Sequence, residues 1–482
     1  MSKSLRKDAR KIIDQAIRAV YPEDAVKNAL STIYSADTAK EHPNTTSSTD
    51  TAKEHPNTIS STDMAKEHPN TISSTDTAKE HPNTTSSTDT AKDPLGGFVS
   101  GKKIFVLAIG KAAWRMAKAA NESLQRQISG GLAITKYGYS MGRINDFEVW
   151  EAGHPIPDEN SIKATERALN MVTDPRRKDD YLLFLVSGGG SSLFESPADG
   201  VSLSDITEIT DQLLKSGAAI QEINTVRKHL SKVKGGRFAQ IVKPARIFSL
   251  VLSDVLGDKL DTIASGPAYP DCSTSEDAIR ITQKYSINLS PGALEALKLE
   301  TPKSLDNVET RIIGSLSVAC ASAKQAAEEL GYSVAILTTV LDCQAREAGT
   351  FLSAIAREVV LRNQPIRKPC AIIAGGETVV EVRGNGLGGR NQELALSAAR
   401  GIGGLKNVVI ASAATDGTDG PTDAAGGIVD GSTMTRLKKQ GISAEEALDN
   451  NDSYHALKAV DDLLVTGPTG TNVNDLMLML CK

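Results

Sequence analysis

Short apolar runs alternate with amphipathic segments along most of this chain, and their lengths sort them into strands and helices. Leu182–Val186 follows Tyr181 as an unbroken run of large apolar residues, which reads as a strand buried on both faces. Further runs at Lys103–Ile109, Gly131–Thr135, Ile247–Ser253, Ser333–Leu337, Pro369–Ala374, Val379–Arg383 and Val408–Ala413 predict more strands. Between them, helical spacing recurs over Trp114–Leu124, Glu159–Val172, Asp205–Ser216, Asn224–Phe238, Ser317–Leu330, Ala345–Leu361 and Gln392–Arg400. Strands alternating with helices predict an α/β fold on mostly parallel, doubly wound sheets. The rhythm lapses over Ser286–Arg311, where Ser290-Pro291-Gly292 and Thr301-Pro302 mark turns, so a domain boundary is placed near residue 305.

Ahead of the first strand, Leu5, Ile12, Ile13, Ile17 and Val20 keep a near-helical spacing that Pro22 interrupts, which predicts short helices within residues 1–37. A polar stretch follows. Thr38–Asp50 reads TAKEHPNTTSSTD and recurs from Thr51, Met64 and Thr77, making four tandem copies of 13 residues. A stacked repeat needs a continuous apolar stripe. These units offer only Ala, an occasional Ile and one Met, so residues 38–92 read as a disordered tandem-repeat insert. One histidine per unit (His42, His55, His68, His81) reads as a solvated linker residue and not as a metal ligand. The remainder divides into two α/β domains, residues 93–305 and 306–482.

Composition narrows the classes. At 482 residues and 40% hydrophobic, the chain can build full-sized cores. Its net charge is −5, and outside the repeats 50 basic residues face 51 acidic ones, which argues against a nucleic-acid partner. No apolar run approaches the ~18–20 residues of a membrane span, and the charged N-terminus lacks a signal-peptide core, so no membrane partner is expected. Five scattered cysteines without CxxC spacing read as reduced thiols of a cytoplasmic enzyme.

The polar chemistry gathers where predicted strands end, which is where open α/β sheets bind ligands. After the Tyr181 strand come Ser187, Gly188, Gly189, Gly190, Ser191 and Ser192. Glycines let backbone N–H groups approach an anion, and a following helix start adds positive charge; the same pattern also makes an ordinary tight turn. Lys111 opens a helix after a strand and a glycine, placing an ammonium near phosphate oxygens or simply in solvent. It is no Walker A loop, because Ala112 follows GK. Arg390, between Gly388-Gly389 and Asn391-Gln392-Glu393, can clamp a phosphate or carboxylate bidentately, or cap a helix. Asp416, Asp419 and Asp423 share one loop, and Asp254 opens SDVLGD. Such oxygen-rich loops suit Mg²⁺, and aspartates also form turns. Thr466–Asp475 is a second glycine–threonine loop able to supply polar contacts. Gly384–Gly389 fits GxGxxG, a dinucleotide fingerprint, but Glu381 and Arg383 are unlike a buried central strand, and Asp416 lies about 27 residues on, not ~20.

These motifs together carry a resemblance. GKAAWRMAKAA, EAGHPIPDEN, SGGGSSLFE, NTVRKHLSKVKGGRFA, SDVLGDKLDTIASGPA, GGETVVEV, GGRNQELALSAA, TDGTDGPTDAAGGIVDGST and GPTGTNVNDL resemble, in order, the glycerate 2-kinase family with a C-terminal MOFRL domain. The resemblance covers nearly the whole chain outside the repeats. It implies two Rossmann-like domains around an active-site cleft, with 93–305 as the nucleotide-binding domain and 306–482 as the MOFRL-like domain. It implies ATP- and Mg²⁺-dependent phosphorylation of the 2-hydroxyl of D-glycerate, giving 2-phosphoglycerate. Lys111 and Arg390 fall on the family's catalytic pair, and Asp254 is the first choice as proton acceptor. Asp416, Asp419 and Asp423 are the metal candidates. Asn224, Arg227, Glu377, Thr471 and Asn472 are candidates for the substrate cleft, and a homodimer is left open. Some relatives are named hydroxypyruvate reductase, which makes an NAD(P)H-dependent reductase the alternative. A non-catalytic anion-binding scaffold, with the repeats as its arm, is the reading from another class.

Overall fold

The computed structural model describes residues 2–38, 102–177 and 179–482. Residues 39–92 of the tandem repeats, with their four histidines, lie outside the described residues. Residues 1–32 and 101–482 form one compact unit; of residues 33–100 the structure describes only the end of the helix Pro22–Thr38.

Six strands make the first sheet: β1 (Ile104–Ile109), β2 (Ile128–Lys136), β3 (Phe147–Ala152), β4 (Tyr181–Val186), β5 (Ile247–Leu252) and β6 (Val308–Gly314). Their order is β3-β2-β1-β4-β5-β6, and every pairing is parallel. β1 and β5 are buried throughout, and β4 at all but Tyr181, because helices cover both faces of a parallel sheet. The core includes a stack of Phe184, Phe194 and Phe238, the last two meeting edge to face at 5.2 Å. β6 falls in the segment where the apolar rhythm lapses. It is an edge strand, half-exposed along its length, so Glu309 and Arg311 are tolerated in it.

The second sheet contains β7 (Ser333–Leu341), β8 (Cys370–Gly376), β9 (Val408–Ala414), β10 (Gly426–Asp430), β11 (Leu463–Leu464) and β12 (Asp475–Cys481). Its order is β11-β10-β9-β12-β8-β7. Only β7 and β8 pair in parallel; all other pairings are antiparallel, which corrects the expectation of a mostly parallel sheet here. β12, the chain's last run of apolar residues, is fully buried between β8 and β9.

Two further expectations change. Val379–Arg383 is not a strand: Val379 makes one isolated bridge to Gln344, while Glu381 and Arg383 pair in solvent. The basic stretch Asn224–Phe238 is not one helix. Helix Ile220–His229 stops, and Arg237–Ile241 begins only after Gly235 and Gly236, whose φ of 55° and 82° favour glycine.

The N-terminal helix Ser2–Arg18 docks on the second sheet, at the far end of the sequence. Leu5, Ile12, Ile13 and Ile17 are buried against a core that includes Val409, Ala411, Leu476 and Leu478. Full burial of one such side chain contributes about 1.5–3 kcal/mol. Arg6 fixes the orientation through Asp430 and Asp462, at 2.6 and 2.8 Å.

Candidate active site

A cavity of about 440 Å³ opens where β2, β1, β4 and β5 end. Parallel strands deliver all four following loops to one edge, so the sequence need only put polar residues there. The β1 and β4 loops are laced together. The Lys111 amide donates to the Gly188 carbonyl at 2.9 Å, and the Ala112 amide donates to Ser187 Oγ at 3.1 Å. Gly110, with φ 112°, admits this: a Cβ there would lie 2.3 Å from Ser187 Oγ. Lys111, Ser187, Gly188 and Asp254 all face the cavity. A Cβ on Gly188 would sit 1.9 Å from Asp254 Oδ2, so only glycine lets that carboxylate approach the loop.

Among the described residues, the Gly188 and Gly189 amides donate to no protein group. The serine hydroxyls are differently placed. Ser187 Oγ donates to the Ile109 carbonyl, Ser192 Oγ donates to the Gly189 carbonyl, and Ser191 Oγ lies 2.7 Å from Ser265 Oγ. The helical turn Gly190–Leu193 is only four residues long, so its dipole adds less than a full helix would. Anion contacts from this loop therefore rest on backbone N–H groups more than on hydroxyls.

Behind the loop lies a charged cluster that the motifs did not reveal. Lys234 and Glu195 are fully buried and 2.9 Å apart. Lys234 also donates to the Ser191 and Phe194 carbonyls at 2.7 and 3.0 Å, clamping the turn. Burial pulls its ammonium down to about 8 against the opposing pull of Glu195. Arg227 Nη2 reaches the Ser191 carbonyl at 3.4 Å, and burial lowers its pKa. Arg227 thus supports the loop from behind, and neither it nor the buried Asn224 lines the cavity. His154, from the EAGHPIPDEN motif, also meets this loop. Its ring packs over Gly189, where a Cβ would lie 2.8 Å away, and burial, then Lys111 and Lys136, hold it below its ordinary pKa.

The facing wall carries Asp416, Thr418, Thr471 and Asn472. Asp416 Oδ1 accepts from the Thr418 amide and hydroxyl at 2.9 and 3.2 Å. The Thr471 hydroxyl donates to the Val20 carbonyl, and Asn472 Oδ1 accepts from the Asn474 amide. Asn474 Nδ2 in turn donates to the Asp254 carbonyl at 3.0 Å, joining the two walls. Burial raises the Asp254 carboxyl, the Lys111 cation opposes that rise, and the Glu377 carboxylate adds to it. Glu377 accepts from Arg390 Nη1 at 3.0 Å. Arg390 forks onto Asp475 with Nε at 2.5 Å and Nη2 at 3.1 Å. Asp475 is almost fully buried, which pushes it up to about 6 although Arg390 pulls the other way.

The three loop aspartates separate. Asp419 accepts from the Asn391 and Gln392 amides at 3.1 and 2.8 Å, so it caps the helix Arg390–Ile402. Asp423 accepts from the Tyr454 hydroxyl at 2.8 Å. Asp416 alone of the three lines the cavity. Among the described residues, the one carboxylate and thiol cluster close enough for shared ligation is Asp261, Asp271 and Cys272, and Lys228 bridges its two carboxylates. The first four residues of the GxGxxG loop are also occupied. Gly384 donates to Asn451 Oδ1, Gly386 to the Asn450 carbonyl and Leu387 to Asp452 Oδ1. No strand leads directly into it, since β8 ends at Gly376, and Asp419 fills the helix start behind it, so it lacks the strand–turn–helix setting of a dinucleotide fingerprint.

Two family profiles match this chain: one described as a domain of unknown function (DUF4147), over residues 8–298, and the MOFRL family, over residues 370–475. The chain is 60% identical over 378 residues to a D-glycerate 2-kinase of Thermotoga maritima, covering 78% of this chain and 90% of the relative. It is 41% identical over 382 residues to an Agrobacterium vitis protein named putative hydroxypyruvate reductase, covering 78% and 98%. Among solved structures it is similar to a glycerate kinase from Thermotoga maritima, with TM-score 0.84, 50% identity and 100% of both chains covered.

Proposed function

The chain belongs to the glycerate kinase family with a C-terminal MOFRL domain, and from that premise we propose how its two sheets divide the reaction. It is a kinase that phosphorylates D-glycerate at the 2-hydroxyl, and ATP is its co-substrate. Phosphoryl transfer asks a protein mainly for positioning and charge neutralisation. The first sheet receives the nucleotide, with the phosphates over the Gly188 and Gly189 amides and beside Lys111. The observation that carries this reading is the free Gly188 amide set next to Lys111 and Asp254 in one cavity, with the free Gly189 amide following it in the loop.

Lys111 and Arg390 stabilise the transferring group from opposite walls. Asp475 and Glu377 hold the Arg390 fork in a fixed plane, so little side-chain freedom is lost in the transition state. Asp254 accepts the proton of the 2-hydroxyl; burial makes its carboxylate a better base. Thr471 and Asn472 line the same cavity, and glycerate sits on their side of it. Mg²⁺ suits a hard oxygen donor that leaves room for phosphates and water. Of the loop aspartates Asp416 meets that description, and when bound the ion would neutralise phosphate charge there. Approach of the two walls would exclude water and limit ATP hydrolysis.

All five cysteines are free, and among the described residues no helix is long and apolar enough to cross a membrane. The free thiols support a reducing, cytoplasmic setting.

The test is an assay with D-glycerate, ATP and Mg²⁺, in which ³¹P NMR reads the product's position. ADP and 2-phosphoglycerate are expected. Steady NADH oxidation with hydroxypyruvate, without ATP dependence, would move the assignment to the reductase.

A further inference from the structure

The cavity has an apolar end that phosphoryl transfer does not use. The loop between β2 and β3 brings Tyr139 and Met141 to its rim, 46% and 52% exposed. Scattered exposed apolar side chains are ordinary, but these two sit on a backbone pinned from both sides. Glu151 Oε1 accepts from the Gly138 and Ser140 amides at 2.9 and 3.0 Å. Trp114 Nε1 donates to the Gly142 carbonyl at 2.8 Å. The loop thereby holds an aromatic ring and a thioether facing solvent at a functional site. Beyond Met141 the cavity gives way to a groove of about 740 Å³, with Trp114, Lys118 and Ile144 among its walls.

Strand order sets the sequence of chemistry along the site. Neighbouring ends run β2, β1, β4, β5. They present in turn Tyr139 with Met141, then Lys111, then Gly188, then Asp254. Three strand spacings cover about 14 Å, the scale of an extended nucleoside triphosphate. A three-carbon acid has almost no apolar surface to place against Tyr139 and is far smaller than the cavity. A purine offers a flat π-face that suits both an aromatic ring and a thioether.

We propose that the Tyr137–Arg143 loop is the nucleoside subsite: the base of the phosphoryl donor stacks on Tyr139 and Met141, and its phosphates run along the β1 and β4 loops toward Asp254. This rests on the reading of the chain as an ATP-dependent kinase. It adds an orientation, and with it residues that discriminate nucleotides without touching the phosphoryl group.

The experiment compares the parent enzyme with Tyr139→Ala, Met141→Ala and Tyr139→Phe, measuring KM for ATP and for D-glycerate, ADP affinity by calorimetry, and inhibition by inorganic tripolyphosphate. Loss of one base stack should weaken ADP and raise the ATP KM about ten-fold. Tyr139→Phe keeps the ring and should behave as the parent. Glycerate KM and tripolyphosphate inhibition should not move, since neither ligand carries a base. A rise in glycerate KM with ADP binding intact would place the acid at this end and overturn the proposal, and so would four unchanged constants. Equal loss of ADP and tripolyphosphate binding would mean the loop only shapes the phosphate site, against the proposal. A parent that binds ADP, with Tyr139-dependent affinity, yet does not phosphorylate glycerate would sink the kinase reading and leave the subsite standing.

Discussion

Two glycine loops in this molecule look alike in sequence and do opposite things. Ser187–Ser192 follows a buried parallel strand, and its Gly188 and Gly189 amides remain free beside Lys111. Gly384–Gly389 also precedes a helix, and it matches a nucleotide-binding pattern more closely. The amides of its first four residues, Gly384–Leu387, are taken by Asn450, Asn451 and Asp452, and the helix start by Asp419. Glycine density shows where a backbone can approach a partner. Whether that partner is a ligand or the protein's own polar side chains depends on residues 27 to 67 positions away.

The sharpest way to break this contrast is at Arg390, which opens the helix after the second loop and is held by Glu377 and Asp475. Arg390→Lys keeps the charge and loses the fork. It should lower kcat by about 10²–10³ with little change in melting temperature. A near-normal kcat would reduce Arg390 to a structural partner of Asp475.

Next come the loops themselves. Gly188→Ala pushes a methyl into Asp254 and should cost on the order of 10² in kcat/KM through misplaced catalytic groups. Gly386→Ala places a Cβ 2.4 Å from Asp452 Cβ. It should destabilise the fold by about 1–3 kcal/mol while ADP affinity, read by calorimetry, stays unchanged. Equal loss of ADP binding in both variants would erase the distinction.

The aspartates sharpen it further. Asp419→Asn disturbs a helix cap and should cost about 1 kcal/mol in denaturant unfolding, with the Mg²⁺ dependence of activity intact. Asp416→Asn should shift that dependence with little effect on stability. The reverse pattern would return the metal role to Asp419.

The smallest effect is a pH trend at Asp475. Burial sets its native pKa at about 6, above the ordinary aspartate value of 3.8. Between these values the native state holds the proton more firmly than the unfolded chain, so this group's contribution to stability is full below the unfolded pKa. It is lost as pH rises through about 6. Melting temperatures of the parent, relative to Asp475→Asn, should therefore fall as pH rises through that window. A difference that does not vary with pH would mean Asp475 stays ionised throughout.

What could be read from sequence follows from where the signal is local. β1 and β4 are unbroken apolar runs, β5 and β9 are interrupted only by Ser249 and Ser412, and all four were legible from residue type alone. β6 was not, because an edge strand tolerates Glu309 and Arg311. The antiparallel second sheet was not, because pairing direction leaves no mark in strands buried on both faces. At the site, Lys111, Gly188 and Asp254 were legible since each ends or follows a strand. Three outcomes depend on distant pairings that no local motif reports: Asp419 as a cap, the Lys234–Glu195 clamp under Ser191, and His154 over Gly189.

The account's central claim is that phosphates meet the first loop and not the second. Hydrogen–deuterium exchange, with and without a non-hydrolysable ATP analogue plus D-glycerate and Mg²⁺, reads both loops in one measurement. The account predicts added protection across Ser187–Ser192 and unchanged exchange across Gly384–Gly389. Protection confined to Gly384–Gly389, with Ser187–Ser192 unaffected, would contradict it.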